Sequence, residues 1–389
     1  MIRERGPLTV AAFMDLALYD TELGYYARAA QRSGRAGDFF TSVDVGPLFG
    51  ELLEVQLAQM RQILQPSDFR LQTFDLVEAG AGNGRLSADI LRAAKQRDPA
   101  FYQSIRLHLV EASATARAAQ AATLGDVAER LTFSGPALSD SFEGVLIANE
   151  LLDALPVHQV VMREHGLREV YVTTNDERSA NDEPRTPNAE RLVTREAPPS
   201  TPELAAYLAR LDVTLEPGWR VEINLRAVDW IRDAARRLRR GFIILIDYGH
   251  DARELYSPAH STGTLTTFVR HRSGGPEGGQ DRPAWLQRPG DQDLTAHVDF
   301  TSVRAAAEVE GMTTLGFLDQ TYFLLGLLAG GRESIAESAP EMARLANDSR
   351  RLKTLIMPGG LGSTHKVLIL GKDVGAPSLR GCSFRVRVT

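Results

Sequence analysis

Apolar residues recur at helical spacing over residues 7–20, "PLTVAAFMDLALYD", and again over "ELLEVQLAQMRQIL". Between them "DTELGYYARAA" breaks the pattern, and "SGRAGDFFTSVDVGPLFG" reads as a glycine-rich loop. From about Phe74 strands and helices alternate: "FDLVEAG", "IRLHLVEAS", "RLTFSG" and "GVLIANE" read as strands, "RLSADILRAAKQ" and "TARAAQAATL" as helices. "LHLV" and "GVLIA" are continuously apolar, as strands buried on both faces require, so the pattern predicts an α/β, doubly wound, mostly parallel sheet. "VHQVVMREHGLREVYVTT" reads as an antiparallel hairpin turning at "EHG", and residues 175–203 as a polar surface loop. The sheet is then expected to resume with "RVEINL", helix "AVDWIRDAARRLRR" and strand "GFIILIDYG". After a second Gly- and Pro-rich loop follow helix "VDFTSVRAAAEVEG" and strands "MTTLGFLDQ" and "KVLILGK".

Composition changes this picture little. The chain has 389 residues, 43% hydrophobic and 24% charged, with a net charge of −6. No long basic block supports a nucleic-acid or membrane-surface role, and "RRLRR" reads as the end of an amphipathic helix. One cysteine, Cys382, forms no internal disulfide and is too few for a Cys-based zinc site, so no metal site is read from the sequence. No apolar run approaches the roughly 20 residues of a membrane span. With no leader-like N-terminal segment read, a cytoplasmic location is expected.

"DLVEAGAGNGRL" (75–86) joins a strand to a helix through Gly80, Gly82 and Gly84. Glycines let the backbone approach a ligand, and the next helix offers free N–H groups. A dinucleotide site wants G-x-G-x-x-G and an acid about 20 residues on. Here the third glycine comes one position early, and the next strand-end acid, Glu111, lies farther along. Glu78 before the turn favours a cationic ligand. S-adenosylmethionine (SAM) is such a ligand: Glu78 would face its ammonium side and Glu111 its ribose hydroxyls. Ligands of open α/β sheets bind beyond the carboxyl ends of the strands, which puts Asn149, Glu150 and Asp153 of "IANELLDALPVHQV" near the reacting methyl.

Seven blocks then carry a resemblance: "GDFFTSVDVGPLFGELL" (37–53), "VEAGAGNGRLSADIL" (77–91), "ANELLDALPVHQVV" (148–161), "LIDYGHDARELY" (245–256), "GTLTTFVRHR" (263–272), "PGDQDLTAHVDFTSV" (289–303) and "MPGGLGSTHKVLIL" (357–370). In this order they resemble the MidA-like family of SAM-dependent methyltransferases. The resemblance runs from about Gly6 to Leu370. It implies a class I methyltransferase fold, Rossmann-like, with a seven-stranded mostly parallel sheet, N-terminal helices and an inserted antiparallel hairpin region. The corresponding division is an N-terminal helical cap and covering loop, 1–70, and a SAM-binding domain, 71–389, with insertions at about 157–218 and 250–297. Glu78, Gly80, Gly82, Gly84 and Glu111 fall on the SAM site; Asp38, Thr41 and Ser42 fall on a loop that closes over the cofactor; Asn149, Glu150 and Asp153, Asp247, and His297 fall on further family blocks.

The family's mitochondrial branch assembles respiratory complex I and methylates an arginine of one subunit. For this chain that implies a bacterial-type enzyme methylating arginine on a protein partner, a respiratory-complex subunit. The carboxylates Glu150 and Asp153 would hold the guanidinium, Asp247 standing in reserve and His297 as a proton relay. A non-catalytic SAM-binding assembly factor and a nicotinamide-dependent oxidoreductase are the alternative readings. The oligomeric state stays open, a homodimer among the forms.

Overall fold

The computed structural model describes residues 2, 6–27, 41–65, 73–174, 192–269, 272–274, 283–330, 349–357 and 361–384. Among the described residues two longer α-helices precede the sheet. In α1 (Val10–Tyr19) the Thr9 side chain caps the start by accepting from the Ala12 N–H. In α2 (Leu48–Leu64) leucines at helical spacing bury one face.

The strands of the central sheet are β1 (Phe74–Ala79), β2 (Ile105–Val110), β3 (Leu131–Gly135), β4 (Phe142–Asn149), β5 (Leu238–His250), β6 (Thr313–Asp319) and β7 (His365–Lys372). Their order is β6-β7-β5-β4-β1-β2-β3. β7 runs antiparallel to both its neighbours; the other pairings along this path are parallel. A short strand, Val298–Asp299, adds to β5 in parallel. This is the class I methyltransferase arrangement expected from the sequence. Helices α3 (Arg85–Arg97) and α4 (Ala114–Leu124) follow β1 and β2, and α5 (Leu225–Arg237) leads into β5. α6 (Phe300–Val309) precedes β6. One apolar core packs α2 and α3 on one face of the sheet, through Leu76, Val145 and Ile147. A second packs α5 and α6 on the other, through Val77, Leu146 and Ala148. Every residue of β1 is buried, and apolar side chains stand on both its faces, Phe74 and Leu76 on one and Val77 and Ala79 on the other, with Asp75 and Glu78 buried among them.

"RVEINL" does not resume this sheet. Arg220–Ile223 pairs antiparallel with His158–Arg163, which pairs with Gly166–Thr174; Leu192–Ala197 and Leu8–Thr9 flank the latter. The polar Glu222 explains the departure, since it meets Gln159 across the strands at 2.8 Å. Alternation of polar and apolar residues suits a sheet with unlike faces, not the doubly covered interior of a parallel one. α1 packs on this second sheet through Phe13, Met14 and Leu18.

Strand registers bring the ends of β1, β2, β4 and β5 level. Ala79 pairs with Val110 and Ala148, and Asn149 with Ile246. Gly80, Glu111, Glu150 and Asp247 therefore follow at one carboxyl edge.

Candidate active site

A cavity of about 350 Å³ opens at this edge, lined by the turn after β1, the ends of β2 and β4, Thr41 and Val43, and side chains from α1 and α5. Gly80, Gly82 and Gly84 all have positive φ (70°, 52° and 85°). A Cβ on Gly82 would meet nothing within 4 Å, whereas one on Gly84 would press Leu109 at 3.1 Å. The backbone at Gly82 is thus bare toward the cavity, as close approach of a ligand demands. The turn is held from β2, because the Gly80 and Ala81 N–H groups donate to the Val110 carbonyl at 2.9 and 3.1 Å.

Glu111 lines the cavity and ties two turns together. Its Oε2 accepts from the Gly82 N–H at 2.8 Å and its Oε1 from the Ser113 N–H at 2.7 Å. A carboxylate has about four lone-pair sites, so acceptor capacity remains on each oxygen. Glu78 lies at 6% exposure and accepts from both the backbone N–H and the hydroxyl of Ser87, in the first turn of α3. Burial pushes its carboxyl up to about 7, against the pull of those Ser87 bonds.

At the end of β4, Glu150 takes a left-handed conformation, φ 53°. That conformation costs a non-glycine residue roughly 1–2 kcal/mol. It aims the backbone into the cavity wall formed by Asn149, Glu150 and Leu151. Asn149 Oδ1 is buried with no hydrogen-bond partner, while its Nδ2 lies 3.4 Å from Glu150 Oε1. Glu150 Oε1 also lies 3.4 Å from Nε2 of the fully buried His365. Nδ1 of His365 contacts the Leu361 carbonyl at 2.8 Å, and its ring packs on Tyr248 with centroids 3.9 Å apart.

Asp153 is buried, with Oδ1 lacking a partner. Burial first, then Asp247, Glu150 and Asp293, drive its carboxyl well above the usual range. Tyr19 and Tyr26 add two phenols to the wall, donating to the Ala154 carbonyl and to Asp293, both at 3.0 Å. This edge therefore concentrates buried carboxyl groups around a cavity, an environment that favours a cationic ligand.

The family model described as "Putative S-adenosyl-L-methionine-dependent methyltransferase" matches residues 52–318. The chain belongs to this family. It is 32% identical over 347 residues to the rat "Protein arginine methyltransferase NDUFAF7, mitochondrial", covering 83% of this chain and 71% of the relative. A Drosophila melanogaster homolog is 28% identical over 406 residues, 97% of this chain and 84% of its own. A COG1565 superfamily member from Burkholderia thailandensis, crystallised with S-adenosyl-homocysteine, has a TM-score of 0.81 at 29% identity, covering 98% of this chain and 92% of that one. SAM is thus the cofactor, and the nicotinamide reading falls. The bare Gly82 backbone and the acid-rich wall fit this cationic group.

The remaining residues read from the sequence stand at various removes from the cavity of this methyltransferase. Thr41 lines it; Ser42 is buried instead against Gln320, 3.2 Å away. Asp38 lies outside the described residues. Residues 41–45 are pinned to the glycine turn by Arg85, which pairs with Asp44 at 2.8 Å and donates to the Val43 carbonyl. Asp247 does not line the cavity. Its Oδ2 accepts from the Leu151 and Leu152 N–H groups at 3.1 and 2.7 Å, and its Oδ1 from that of Tyr248 at 2.9 Å. It thereby anchors the 150–153 turn, and burial raises its carboxyl to about 7. His297 is also away from the cavity, beside His250 and His260. Burial, then those two histidines, lowers it to about 4, so the ring is neutral near pH 7. Sequence reasoning missed Tyr19, Tyr26, Arg85, Trp230 and His365. Of these only Tyr26 carried a signal, as the second residue of the "YY" that interrupts helical spacing, and the approach of both tyrosines depends on how α1 docks. Among the described residues no helix is long and apolar enough to cross a membrane.

Proposed function

We propose that the chain transfers the methyl group of SAM to an arginine side chain of a protein partner, the resemblance pointing to a respiratory-complex subunit. The observation that carries this reading is the acid group at the end of β4: Glu150 on the cavity wall, with Asp153 buried three residues further on. Guanidinium stays protonated in proteins, with a pKa above about 12, so an arginine acceptor needs carboxylates to hold it and take its proton. The names of the mitochondrial relatives favour the same acceptor.

On this reading Gly80, Gly82, Gly84 and Glu111 cradle the cofactor, with Glu78 bracing the turn from below, Asn149 beside it and Thr41 closing one side. When bound, SAM supplies a methyl already activated on sulfonium. The residues then have to align the acceptor, exclude water and remove one proton. Glu150 holds the guanidinium nitrogen. As the new N–CH₃ bond forms and the S–CH₃ bond breaks, that nitrogen sheds its proton to Glu150. Assigning the His365 ring proton to Nδ1, which faces the Leu361 carbonyl, leaves Nε2 as an acceptor beside Glu150, an outlet for the proton.

Methyl-labelled SAM added with the protein to a host lysate lacking it tests the acceptor. Label on arginine of a protein, found by mass spectrometry, is the expected result. Label confined to a small molecule or nucleic acid would overturn it, and SAM binding with no transfer would favour the non-catalytic assembly-factor reading.

A further inference from the structure

His250 closes β5, and Val298–Asp299 pairs in parallel with Gly249 and His250, so His297 arrives beside His250. The short helix Ala252–Leu255 and the turn Pro258–His260 fold the chain back and bring His260 to the same place. Each half-buried histidine offers one ring nitrogen, and the three nitrogens lie within 4.8 Å of one another. Ring centroids are 4.8, 5.2 and 5.8 Å apart. Three imidazoles converge here from three segments separated in sequence, away from the cavity of the transferase.

Their surroundings suit metal ligation. His260 Nδ1 contacts the Glu254 carbonyl at 3.0 Å, and His250 Nδ1 stands 3.1 Å from the Glu254 carboxylate. The Glu254 carbonyl thus orients His260 through one ring nitrogen, the way metal-binding histidines are ordinarily oriented, while His250 Nδ1 is buried near the Glu254 carboxylate with no hydrogen-bond partner. His297 Nδ1 is buried with no hydrogen-bond partner.

We propose that His250, His260 and His297 bind one divalent transition metal ion of the zinc class, with water in the fourth position. Three imidazoles and an open site are a ligand set that zinc accepts. Bonds of about 2.0–2.1 Å would place the nitrogens roughly 3.4 Å apart in tetrahedral geometry, so the rings close in by about 1 Å, within reach of side-chain rotation. The ion would tie the end of β5, the 258–260 turn and the segment leading into α6 to one point. It would fasten the chain between residues 250 and 297 to the sheet edge. The site is independent of the methyl acceptor and supplies a metal centre where cysteine counting offered none.

The test uses the full chain, free of any histidine tag, stripped with chelator and titrated calorimetrically with Zn²⁺, then with Co²⁺ under visible absorption. One equivalent of Zn²⁺, tetrahedral Co²⁺ bands, and a thermal midpoint raised by Zn²⁺ are expected. His260→Ala sits in a half-buried turn and should weaken binding about a hundredfold or more and lose the Zn²⁺-dependent thermal shift; His297→Gln is the second variant, conservative in polarity. No stoichiometric uptake by the wild-type chain would overturn the proposal. So would equal binding by both variants, which would place the ion elsewhere.

Discussion

Glu78 and Glu111 flank one turn, yet their environments differ. Glu111 faces the cavity and spends one contact per oxygen on backbone N–H groups, at 2.8 and 2.7 Å. Removing it takes away the proposed ribose partner and loosens the turn. Glu111→Ala should cost roughly 2–4 kcal/mol, or about 30- to 1000-fold in SAM affinity. Unchanged affinity by calorimetry would refute that cofactor pose. Glu78 is buried, with its carboxyl raised to about 7 from an ordinary 4.5. The folded protein therefore holds a proton that the unfolded chain has already released between those values. Stability from this group is greatest at low pH and declines as pH rises from about 4.5 to about 7. At 1.36 kcal/mol per pKa unit that decline amounts to about 3 kcal/mol. Glu78→Gln should flatten this part of the pH–stability curve measured by denaturant unfolding. A slope identical to wild type would show that Glu78 does not titrate there. Neither distinction was legible in the sequence, where both are acids near glycines. Both acids border the cavity, and how deeply Glu78 is buried there depends on how α3 closes over β1.

At the scale of elements, the turn between β1 and α3 carries a graded prediction. Gly82 has open space where its Cβ would stand, whereas Gly84 is closed in by Leu109 at 3.1 Å. Both have positive φ, so alanine at either costs about 1 kcal/mol of backbone strain. Gly84→Ala must in addition displace Leu109 and should lower the thermal midpoint more. Gly82→Ala should lower it less but weaken SAM binding sharply, because its methyl enters the cradle. Equal effects of the two variants on both readouts would contradict this assignment. Arg85 makes a second device of the same turn, linking Asp44 at 2.8 Å to the first residue of α3. Arg85→Ala removes a charged hydrogen bond of about 1.5–3 kcal/mol. Amide exchange over residues 41–46 should accelerate relative to that of β1; equal exchange would show that the contact does not hold the segment. The strand–glycine–helix grammar was readable because each piece is local. The Arg85 link was not, since it joins positions 41 residues apart with no periodic signature.

For the whole molecule, the alternation from Phe74 onward was enough to predict the parallel sheet, because strands covered on both faces have to be continuously apolar. The expectation that "RVEINL" resumes this sheet did not follow that rule and failed. The segment's polar Arg220 and Glu222 alternate with Val221 and Ile223 and mark a strand whose faces differ, and its partner strand lies far back in the chain at His158–Arg163. The second sheet, with α1 on it, is what carries Tyr19 to the cavity, so part of the site depends on pairings no local pattern encodes. "NELLD" was legible as a strand end rich in acids. The His365 partner of Glu150 was not, because it comes from β7, the antiparallel strand beside β5.

These pieces converge on Glu150, which stands on the cavity wall and within 3.4 Å of a buried imidazole. If it holds the acceptor cation and takes its proton, its charge matters to the transition state and little to the cofactor alone. The measurement that tests this most directly compares Glu150→Gln with wild type in single-turnover methyl transfer to the acceptor, alongside calorimetric SAM affinity. The account predicts transfer slowed by about a hundredfold or more, with SAM affinity nearly unchanged. Near-normal transfer by Glu150→Gln, or a loss explained wholly by weaker SAM binding, would contradict it.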